Sequence, residues 1–528
     1  ASGSRYDELY GRRLYDGYFS NDILNQADAS TATNSGYRNE TRLAAYLLRA
    51  NYDFAGKYLL EVVGRYDGSY RYAPGHRWAF FPSVSAGWRI SEEKFMKEKL
   101  PFVSNMKLRV SYGKSGYDAG DPFQYVAAYT QGSSGYVLDG TKLTMGMVAP
   151  GVVLDNLSWV VTKTANLGLD FYLWNGKLFG TFEIYRRVND GLLASRLQDI
   201  PNTFGASFPK ENINSEENRG LEIELGTRGK IGKDFGYTIS ANYSFTRYKY
   251  LKVEHSPYQS SMDRYLNGYE NRTIGGMWNH SGGGMWIQKT DGQFQSISEF
   301  EKAPLYGGSN GNSMMLPGSF RIVDRNGDGV ISYEDQLPES RRAGANPPYQ
   351  FGLNLGFTYK SFDLNILFQG AAGYVIGYAN DDVFGYGSKT NPTLMKKYMN
   401  RWHTANITDD PYNPSTQWVS GKYPALRRDF TGTQDNGNSW GVGAIPFWNP
   451  NATYLRLKSL ELGYTLPKNL TRKVGISDLR VFVNGFNLLT FCNSLLKDAD
   501  PEREERDWGA SLAYPLMKAY NIGLNINF

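Results

Sequence analysis

The sequence predicts an all-β fold, an antiparallel transmembrane β-barrel. Three observations lead to this prediction: segments in which apolar and polar residues alternate, short turns that alternate with long connections along the chain, and a composition rich in aromatic residues and glycine. Alternation with a period of two is the pattern of a strand with two unlike faces. Short turns at one end and long loops at the other are typical of barrels in bacterial outer membranes.

The composition excludes several other classes. Of the 528 residues, 15% are aromatic and 58 are glycine, which suits β-structure with tight turns. Charged residues make up 21%, and the mean hydropathy of -0.49 excludes an all-apolar membrane protein. No run approaches the roughly 18 apolar residues of a spanning helix. The formal charge of +5 comes without a long basic block, so nothing indicates nucleic-acid binding, and the single Cys492 excludes an intrachain disulfide.

Alternating segments recur from a first strand near Arg5 to Tyr18 to the last residue. The clearest are Met106 to Tyr112, Ala165 to Leu173, Leu221 to Leu225, Tyr237 to Phe245 and Phe351 to Tyr359. From Tyr520 to Phe528 every second residue is apolar, and such an edge invites aggregation unless it is paired, as in a closed barrel. Taken alone, this last stretch also fits an edge strand of a soluble sandwich. We count roughly fourteen strands, an even number, and expect the apolar phases to face lipid and the polar phases the lumen.

The connections alternate between two lengths. Short turns are predicted at 55–57, 175–177, 230–235, 361–362 and 467–477. The long segments, which we expect outside the cell, fall near 115–156, 189–218, 250–348, 377–451 and 492–516, with another at 20–39. The connection at 71–77 is the one exception, because it is short although the alternation predicts a long connection there. A soluble sandwich or propeller has no reason for this alternation.

Two local features are predicted within this pattern. The stretch from Ser91 to Glu98 fits a short helix on the short-turn side, with Ser91 as its N-cap and acidic residues in the first turn. Between 452 and 466 the apolar phase slips, because Leu455 and Leu457 are odd whereas Leu460 and Leu462 are even. A slip of one residue predicts a β-bulge or a partly occluded lumen.

One segment has the spacing of a metal loop. Asp324 to Asp335 reads D-R-N-G-D-G-V-I-S-Y-E-D. The predicted ligands are Asp324, Asn326, Asp328, the carbonyl of Val330 and Asp335, at positions 1, 3, 5, 7 and 12 of a calcium loop. Position 12 is Asp rather than the longer Glu, so Mg²⁺ or weak Ca²⁺ binding remains an alternative, as does a metal-free turn. The expected role is to brace a long outer loop.

No catalytic constellation is found, so we do not predict an enzyme. The four histidines lack zinc-ligand spacing, and there is no nucleophile elbow, no phosphate-binding loop and no motif for an organic cofactor. Aromatic residues cluster in the long segments, where they could stack on sugars or hold peptide side chains. The candidates for substrate binding are Trp278, Trp286, Trp402, Trp418 and Trp440. Packing of the loops on themselves explains these residues equally well.

Several blocks resemble the SusC-like (SusC/RagA) family of TonB-dependent outer-membrane transporters. They include R-W-A-F-F-P-S-V-S-A-G-W-R-I-S-E-E from Arg77, N-A-T-Y-L-R-L-K-S-L-E-L-G-Y-T-L-P from Asn451 and L-R-V-F-V-N-G-F-N-L-L-T-F from Leu479. Further blocks are Thr41 to Leu60, Arg65 to Tyr72, Lys107 to Gly113 and the closing stretch to Phe528. They follow the order found in the family and span nearly the whole chain.

The resemblance implies a location and a function. It implies a multi-pass protein in the outer membrane of a Gram-negative, Bacteroidota-like bacterium. There it would import oligosaccharides or peptides with a SusD-like surface lipoprotein, driven by the TonB complex through a plug domain. A dimer of transporter–lipoprotein pairs is one arrangement that it allows. A structural or secretion-associated barrel without import is the alternative, and the choice between glycan and peptide stays open.

The resemblance also bears on the extent of the chain. Such transporters close with 22 strands around a plugged lumen, so residues 1–528 are expected to be the carboxy-terminal part of the barrel domain, without the plug. In that case the strand from Met517 to Phe528 pairs with a segment outside this sequence, and does not pair with the strand near Arg5 to Tyr18.

Overall fold

A single antiparallel sheet of 14 strands dominates the structure, and each strand pairs with the next one along the chain. The computed structural model describes residues 2–13, 32–138, 140, 142–148, 150–196, 208–254, 257, 260–261, 286–306, 311–338, 342–343, 347–376, 396–425, 445–447, 449–497, 500–502 and 516–528. In these parts of the chain, no helix has both the length and the apolar character needed to cross a membrane.

The sheet strands are numbered in chain order. They are β1 (Ser2–Arg13), β2 (Ala32–Phe54), β3 (Tyr58–Ser69), β4 (Trp78–Arg89), β5 (Val103–Tyr117), β6 (Val160–Leu173), β7 (Leu178–Ser195), β8 (Lys210–Ile231), β9 (Phe235–Lys252), β10 (Tyr349–Tyr359), β11 (Phe362–Ala372), β12 (Tyr454–Thr465), β13 (Asp478–Phe491) and β14 (Ala519–Asn527). The predicted strand number is therefore confirmed. Within the described residues two helices, α1 (Lys94–Lys99) and α2 (Lys468–Thr471), lie in connections.

The two faces of the sheet differ as the alternation predicts. None of Leu221, Ile223 and Leu225 is buried, and Leu225 is 49% exposed. On the opposite face Arg109 of β5 binds Asp170 of β6 at 2.7 Å and Glu183 of β7 at 3.1 Å. A soluble sandwich would bury the apolar phase between two sheets, so the sandwich alternative is wrong and the apolar phase forms the outer, lipid-facing wall.

Short turns join the strands at one end of the sheet. Between β6 and β7, Trp174, Asn175 and Gly176 take φ values of 49°, 57° and 77°, the left-handed backbone of a tight hairpin turn. The β8–β9 and β10–β11 connections lie at the same end and leave 232–234 and 360–361 outside the strands. The other end carries the long connections, so the predicted alternation of lengths is confirmed.

The predicted cap of α1 is wrong. The helix begins at Lys94 with Glu93 as its N-cap, and no side chain caps it. Ser91 is buried in a preceding 3₁₀ turn, Ile90–Glu92, and its hydroxyl donates to Asn105 Oδ1 at 3.4 Å. The sequence pattern predicted the wrong cap because the Ser91 hydroxyl forms its hydrogen bond with a residue of the neighbouring strand rather than with a helix N–H group.

The loop predicted near 189–218 is much shorter than expected. Strand β7 runs to Ser195 and β8 starts at Lys210. Ion pairs support this extension, with Lys163 on Asp190 at 2.7 Å and Arg196 on Glu211 at 2.9 Å. Polar residues here do not end the strands, because cross-strand charge pairs stabilise a ladder that has left the apolar layer.

The phase slip in β12 is a β-bulge at Lys458. The register of β12 against β13 shifts between Leu457 and Ser459, and the register against β11 shifts at the same place. Lys458 therefore has no partner in either ladder. The bulge moves residues 454–457 by one position, which turns Arg456 toward the lumenal side.

The long connections form short elements of their own. The paired strands are Thr130–Leu138 with Lys142–Val148, Trp286–Gln288 with Gln336–Pro338, Thr290–Gln293 with Phe320–Ile322, Leu305–Tyr306 with Val330–Ile331, Arg342–Ala343 with Tyr374–Val375, and His403–Thr404 with Trp418–Val419. The 3₁₀ turns described in these connections are Ile297–Glu299, Gly311–Met314, Tyr333–Asp335, Lys396–Met399 and Ser494–Leu496, and a further one, Arg472–Val474, lies in the short connection between β12 and β13.

The sheet is open within the described residues. β1 pairs with β2 and β14 pairs with β13, and no ladder joins β1 to β14. The pairing of Met517 to Phe528 with the first strand, which would have closed a small barrel, is not observed. Pairing of β14 with a segment outside this sequence stays a prediction.

Candidate functional site: the outer assembly and the lumenal face

Described parts of three long connections pack together at the outer end of the sheet. We call the described parts of 286–338, 396–425, 445–452 and 492–502 the outer assembly. Its core is aromatic: the ring of Phe294 meets Phe300 edge-on at 4.9 Å and Tyr306 at 6.1 Å. The buried Tyr306 hydroxyl donates to the Phe320 carbonyl at 3.3 Å and accepts from the Ile322 N–H at 2.8 Å. Tyr374 and Tyr454 belong to the same core, which joins the loops to the strand ends.

Arg456 fixes the last part of the outer assembly to the sheet. It is 2% exposed, and its guanidinium donates to Asp500 at 2.6 Å, to Thr490 at 3.0 Å and to Glu502. Glu502 also accepts from Gln369 at 2.8 Å. All five donors of a guanidinium need partners when it is buried, so this cluster orders the 500–502 segment against the inner wall.

In the predicted metal loop, backbone N–H groups donate hydrogen bonds to two of the carboxylates. Gly327 and Gly329 have φ values of 74° and 81°, which side-chain-bearing residues rarely adopt. Asp324 accepts from both of their N–H groups, at 2.7 and 2.9 Å. At the other end Asp335, which is fully buried, accepts from Arg325 N–H and Ser332 N–H, each at 2.8 Å. The two carboxylates hold the start and end of the loop together.

The donor set of the loop is compatible with a hard cation. Each of these carboxylate oxygens accepts one hydrogen bond, which leaves a second lone-pair direction. Asn326 accepts from Asp328 N–H at 3.0 Å and its amide nitrogen contacts Asp328 Oδ2 at 2.9 Å. Among the described residues no group of three His, Cys, Asp or Glu side chains converges as a metal site. Asp324, Asp328 and Asp335 are therefore not gathered around one point in this conformation, and cation binding by the loop stays a prediction.

The loop is also part of the core. Val330 and Ile331 form a short parallel ladder with Leu305 and Tyr306, and Leu305 N–H donates to the Gly329 carbonyl at 2.7 Å. Ile331 is fully buried. A change in the loop is therefore transmitted to the aromatic core.

The structure divides the predicted tryptophans. Trp402 is 5% exposed, packs with Leu316 and Ala425, and donates its Nε1–H to Gln293 at 3.3 Å. It supports the outer assembly and offers no free ring face, which corrects its assignment as a substrate-binding residue. Trp418 is partly buried against the same cluster, and its Nε1 has no hydrogen-bond partner in the described structure.

The side chains of the other three predicted tryptophans lie outside the part of the chain that the structure describes. Trp286 starts a strand that pairs with Gln336–Pro338, but its side chain lies outside the described part. Trp278 and Trp440 lie outside the described residues. Substrate contact through these residues and Trp418 stays a prediction.

The lumenal face carries ion-pair networks below the outer assembly. Arg480 of β13 binds Asp363 of β11 at 3.0 Å and Glu461 of β12 at 2.7 Å. Near the other side of the sheet a pocket of about 460 Å³ has a mixed polar and apolar lining from β2–β6, which includes Glu61, Lys107 and Arg109. The charged residues of this wall form pairs of opposite charge, and the wall can hold polar groups of a plug or solute.

Comparison with known families gives a match along most of the chain. Residues 2–488 match the family described as TonB dependent receptor-like, beta-barrel. TonB-dependent receptor P3 of Formosa agariphila is 28% identical over 524 residues, covering 95% of this chain and 47% of that protein. TonB-dependent receptor SusC of Bacteroides thetaiotaomicron is 26% identical over 507 residues, covering 95% of this chain and 45% of that protein. The chain spans about half the length of the curated relatives it matches.

Solved structures give the same fold. The RagAB peptide transporter aligns over 99% of this chain and 52% of that chain, with a TM-score of 0.65 and 21% identity. The RagAB peptide importer in its 'open-open' state aligns with a TM-score of 0.66 and 21% identity, covering 99% of this chain and 51% of that one. At this level of identity the likeness establishes the β-barrel fold.

Proposed function

The chain belongs to the TonB-dependent receptor-like β-barrel family, and from that premise we propose that it is the barrel wall of a SusC-like importer. The protein is located in the outer membrane, like its Bacteroidota relatives. The observation that carries the proposal is the 14-stranded sheet, apolar on one face and ion-paired on the other. A transporter needs both faces, because lipid covers one and a polar path follows the other.

The proposed cargo is an oligosaccharide or a peptide. One relative carries the name SusC, and the RagAB structures are described as a peptide transporter. A peptide and a glycan both present hydrogen-bonding groups and apolar or ring surfaces, so the predicted binding residues Trp278, Trp286, Trp418 and Trp440 suit either. The proposed route runs from the outer assembly along the charged lumenal face.

Two partners are part of the proposal. A SusD-like lipoprotein would cover the outer end of the barrel, in contact with the outer assembly. The TonB complex would act through a plug against the lumenal wall. Paired assemblies of transporter and lipoprotein are one form that this complex could take.

Uptake in living cells tests the import function. In the source bacterium we would delete the gene that encodes this chain and supply defined oligosaccharides and short peptides one at a time. We expect loss of uptake of one solute class, restored by the intact gene but not in a strain lacking TonB. A mutant that takes up every solute normally yet loses secretion or envelope integrity would support the barrel without import instead.

An affinity tag on the same protein tests the partner. Purification from the outer membrane should recover one lipoprotein in a near-equal amount. A control tag on an unrelated outer-membrane barrel from the same cells identifies contaminants. Recovery of the tagged barrel alone, under conditions that keep other lipoprotein complexes intact, would contradict the partner proposal.

We further propose that the loop from Asp324 to Asp335 binds Ca²⁺, with Mg²⁺ as the weaker alternative. Asp324, Asn326, Asp328, the Val330 carbonyl and Asp335 would hold it, and the bound cation would neutralise the three carboxylates. Its role would be to brace the ladder between Val330–Ile331 and Leu305–Tyr306. The ion has no catalytic part in this proposal.

Metal binding is measured directly on the full-length protein. Calcium titration by calorimetry should give one site that is lost in Asp328→Asn, whose side chain reaches no residue outside the loop in the contacts described here. The matched control is Asp409→Asn, an acidic loop residue of the same assembly that bonds Asn406 at 3.3 Å. Equal calcium binding by both variants would refute the assigned site.

A further inference from the structure

The short connections of the sheet are positively charged. We call these six connections the inner rim, because short turns of outer-membrane barrels lie on the periplasmic side. They contain ten basic and four acidic residues, whereas the net charge of the whole chain is only +5. Every one of them has at least one lysine, and their ranges are 55–57, 90–102, 174–177, 232–234, 360–361 and 466–477.

The connection that contains α1 exposes large apolar side chains. Phe95, Leu100 and Phe102 are 49%, 38% and 39% exposed, whereas Met96 on the other side of the helix is 6% exposed. Trp174 of the adjoining turn stacks on Phe102 at 5.4 Å and is itself half exposed. Neighbouring apolar side chains left in water are unfavourable and mark a surface that another component covers.

Hydrogen bonds fix the start of α1 to the lipid-facing side of the wall. The carboxylate of Glu93 accepts from the Tyr58 hydroxyl at 2.6 Å and from Trp88 Nε1–H at 3.2 Å. Tyr58 and Trp88 are directly opposite each other and belong to the outward phase of β3 and β4. Aromatic residues at the ends of barrel strands lie at the boundary between lipid and water. The helix therefore begins at that boundary, next to lipid.

The α1 connection also presents lysines beside its apolar residues. Two of its acidic residues are engaged locally, Glu92 by Lys97 at 2.7 Å and Glu93 by Lys57 at 3.1 Å. Lys94 and Lys99 are exposed and form no ion pair with the described residues. Lys99 follows Phe95 by one helical turn, so the ring and the ammonium group share a face. This combination is typical of segments that lie in a membrane interface.

We propose that the α1 connection, together with the inner rim, binds anionic phospholipids of the inner leaflet. The apolar residues extend the lipid-facing wall without a break, and Phe95, Leu100 and Phe102 enter the boundary between head groups and acyl chains. Lys94 and Lys99 reach the phosphates, since a lysine stem can lie along apolar surface while its charge stays in the polar layer. This inference rests on the orientation of the barrel in the outer membrane and not on the transported solute.

Fluorescence quenching measures whether the connection lies in lipid. In a Cys492→Ser background, the full-length protein with Phe95→Cys would carry an environment-sensitive dye in nanodiscs of phosphatidylcholine and phosphatidylglycerol. We expect quenching by lipids that carry a nitroxide near the head group. The same dye at Ile407→Cys, a position of the outer assembly that is 98% exposed, should not be quenched. A label at position 95 that is quenched as weakly as the label at position 407 would overturn the proposal, and would place this surface in water or against a protein.

A second comparison tests the preference for anionic lipid. At equal amounts, nitroxide-labelled phosphatidylglycerol should be enriched about fivefold over labelled phosphatidylcholine around position 95. Lys94→Gln/Lys99→Gln should reduce this enrichment to about twofold or less. The matched control, Lys302→Gln/Lys396→Gln, removes the same charge from exposed positions of the outer assembly and should keep the full enrichment. Equal enrichment of the two lipids, or no effect of the α1 lysines, would overturn the anionic assignment.

The heat-dependent shift of the barrel on gels checks that each variant folds. If Phe95→Cys does not fold, Leu100→Cys takes its place with the same expected quenching and the same contradicting result.

Discussion

Replacing Arg456 by Met is expected to release the 500–502 segment from the sheet. The methionine keeps the apolar volume but removes the hydrogen bonds that the guanidinium donates to Asp500, Glu502 and Thr490. Breaking a buried ion pair costs about 3–5 kcal/mol. The side chains of Asp500 and Glu502 are 19% and 26% exposed, so water recovers part of that loss and we expect about 2–3 kcal/mol.

Hydrogen exchange measures this release. A loss of about 2–3 kcal/mol raises the opening equilibrium of the segment about 30- to 150-fold. We expect amides near 492–502 to exchange faster by that factor, while amides of β6 to β9 are unchanged. The matched control is Lys458→Met, because Lys458 lies 3.9 Å from the same Glu502 but is 36% exposed, where ion pairs contribute about 0–1 kcal/mol. Equal exchange in the two variants would refute the anchoring role of Arg456.

Three further predictions follow from the packing. Tyr306→Phe removes a buried hydroxyl with two partners and should lower the melting temperature of the outer assembly, corresponding to about 1–2 kcal/mol; no shift in calorimetry would contradict this. Deleting Lys458 removes the extra residue of the bulge and leaves Leu457 opposite Phe368 and Arg456 opposite Gln369. Arg456 should therefore stay on the lumenal side and the barrel should still reach its heat-resistant form on gels; loss of that form would contradict the assignment of Lys458 as the bulged residue. Hydrogen bonds from Tyr58, Lys57 and Trp88 lower the pKa of Glu93. The stabilising effect of this carboxylate is therefore present above the unfolded pKa of a glutamate and is lost as the pH falls through the lower, folded pKa. Glu93→Gln should lower the stability near neutral pH and make the melting temperature depend less on pH in the acid range. Parallel curves of melting temperature against pH for wild type and variant would show that the carboxylate has no such role.

The sheet was predictable because its physical causes are local. A period of two identifies each strand, and the phase slip between Leu457 and Leu460 locates the bulge without knowledge of either neighbour. Turn residues such as Asn175 and Gly176 mark the short ends. In each case residues a few positions apart carry the whole signal.

The outer assembly was less predictable because its contacts are distant in sequence. Arg456 meets Asp500 and Glu502, more than forty residues away, and nothing in its own segment indicates that it is buried. Trp402 is covered by Leu316 and Ala425, which only the folded loops bring to it. Ser91 has the sequence of a helix cap, but a strand residue takes its hydroxyl. The neighbouring phase slip, which places Arg456 on the polar face, was the one sequence signal for this residue.

Residue-by-residue accessibility along β8 tests most directly whether this strand is part of a wall between lipid and lumen. In a Cys492→Ser background, single spin labels at positions 221 to 225 would be measured in native membranes with oxygen, which partitions into lipid, and a water-soluble nickel complex. We predict that labels replacing Leu221, Ile223 and Leu225 respond to oxygen, and that labels replacing Glu222 and Glu224 respond to nickel. Accessibility without a period of two, or nickel access at all five positions, would contradict the assignment of this chain as a membrane barrel wall.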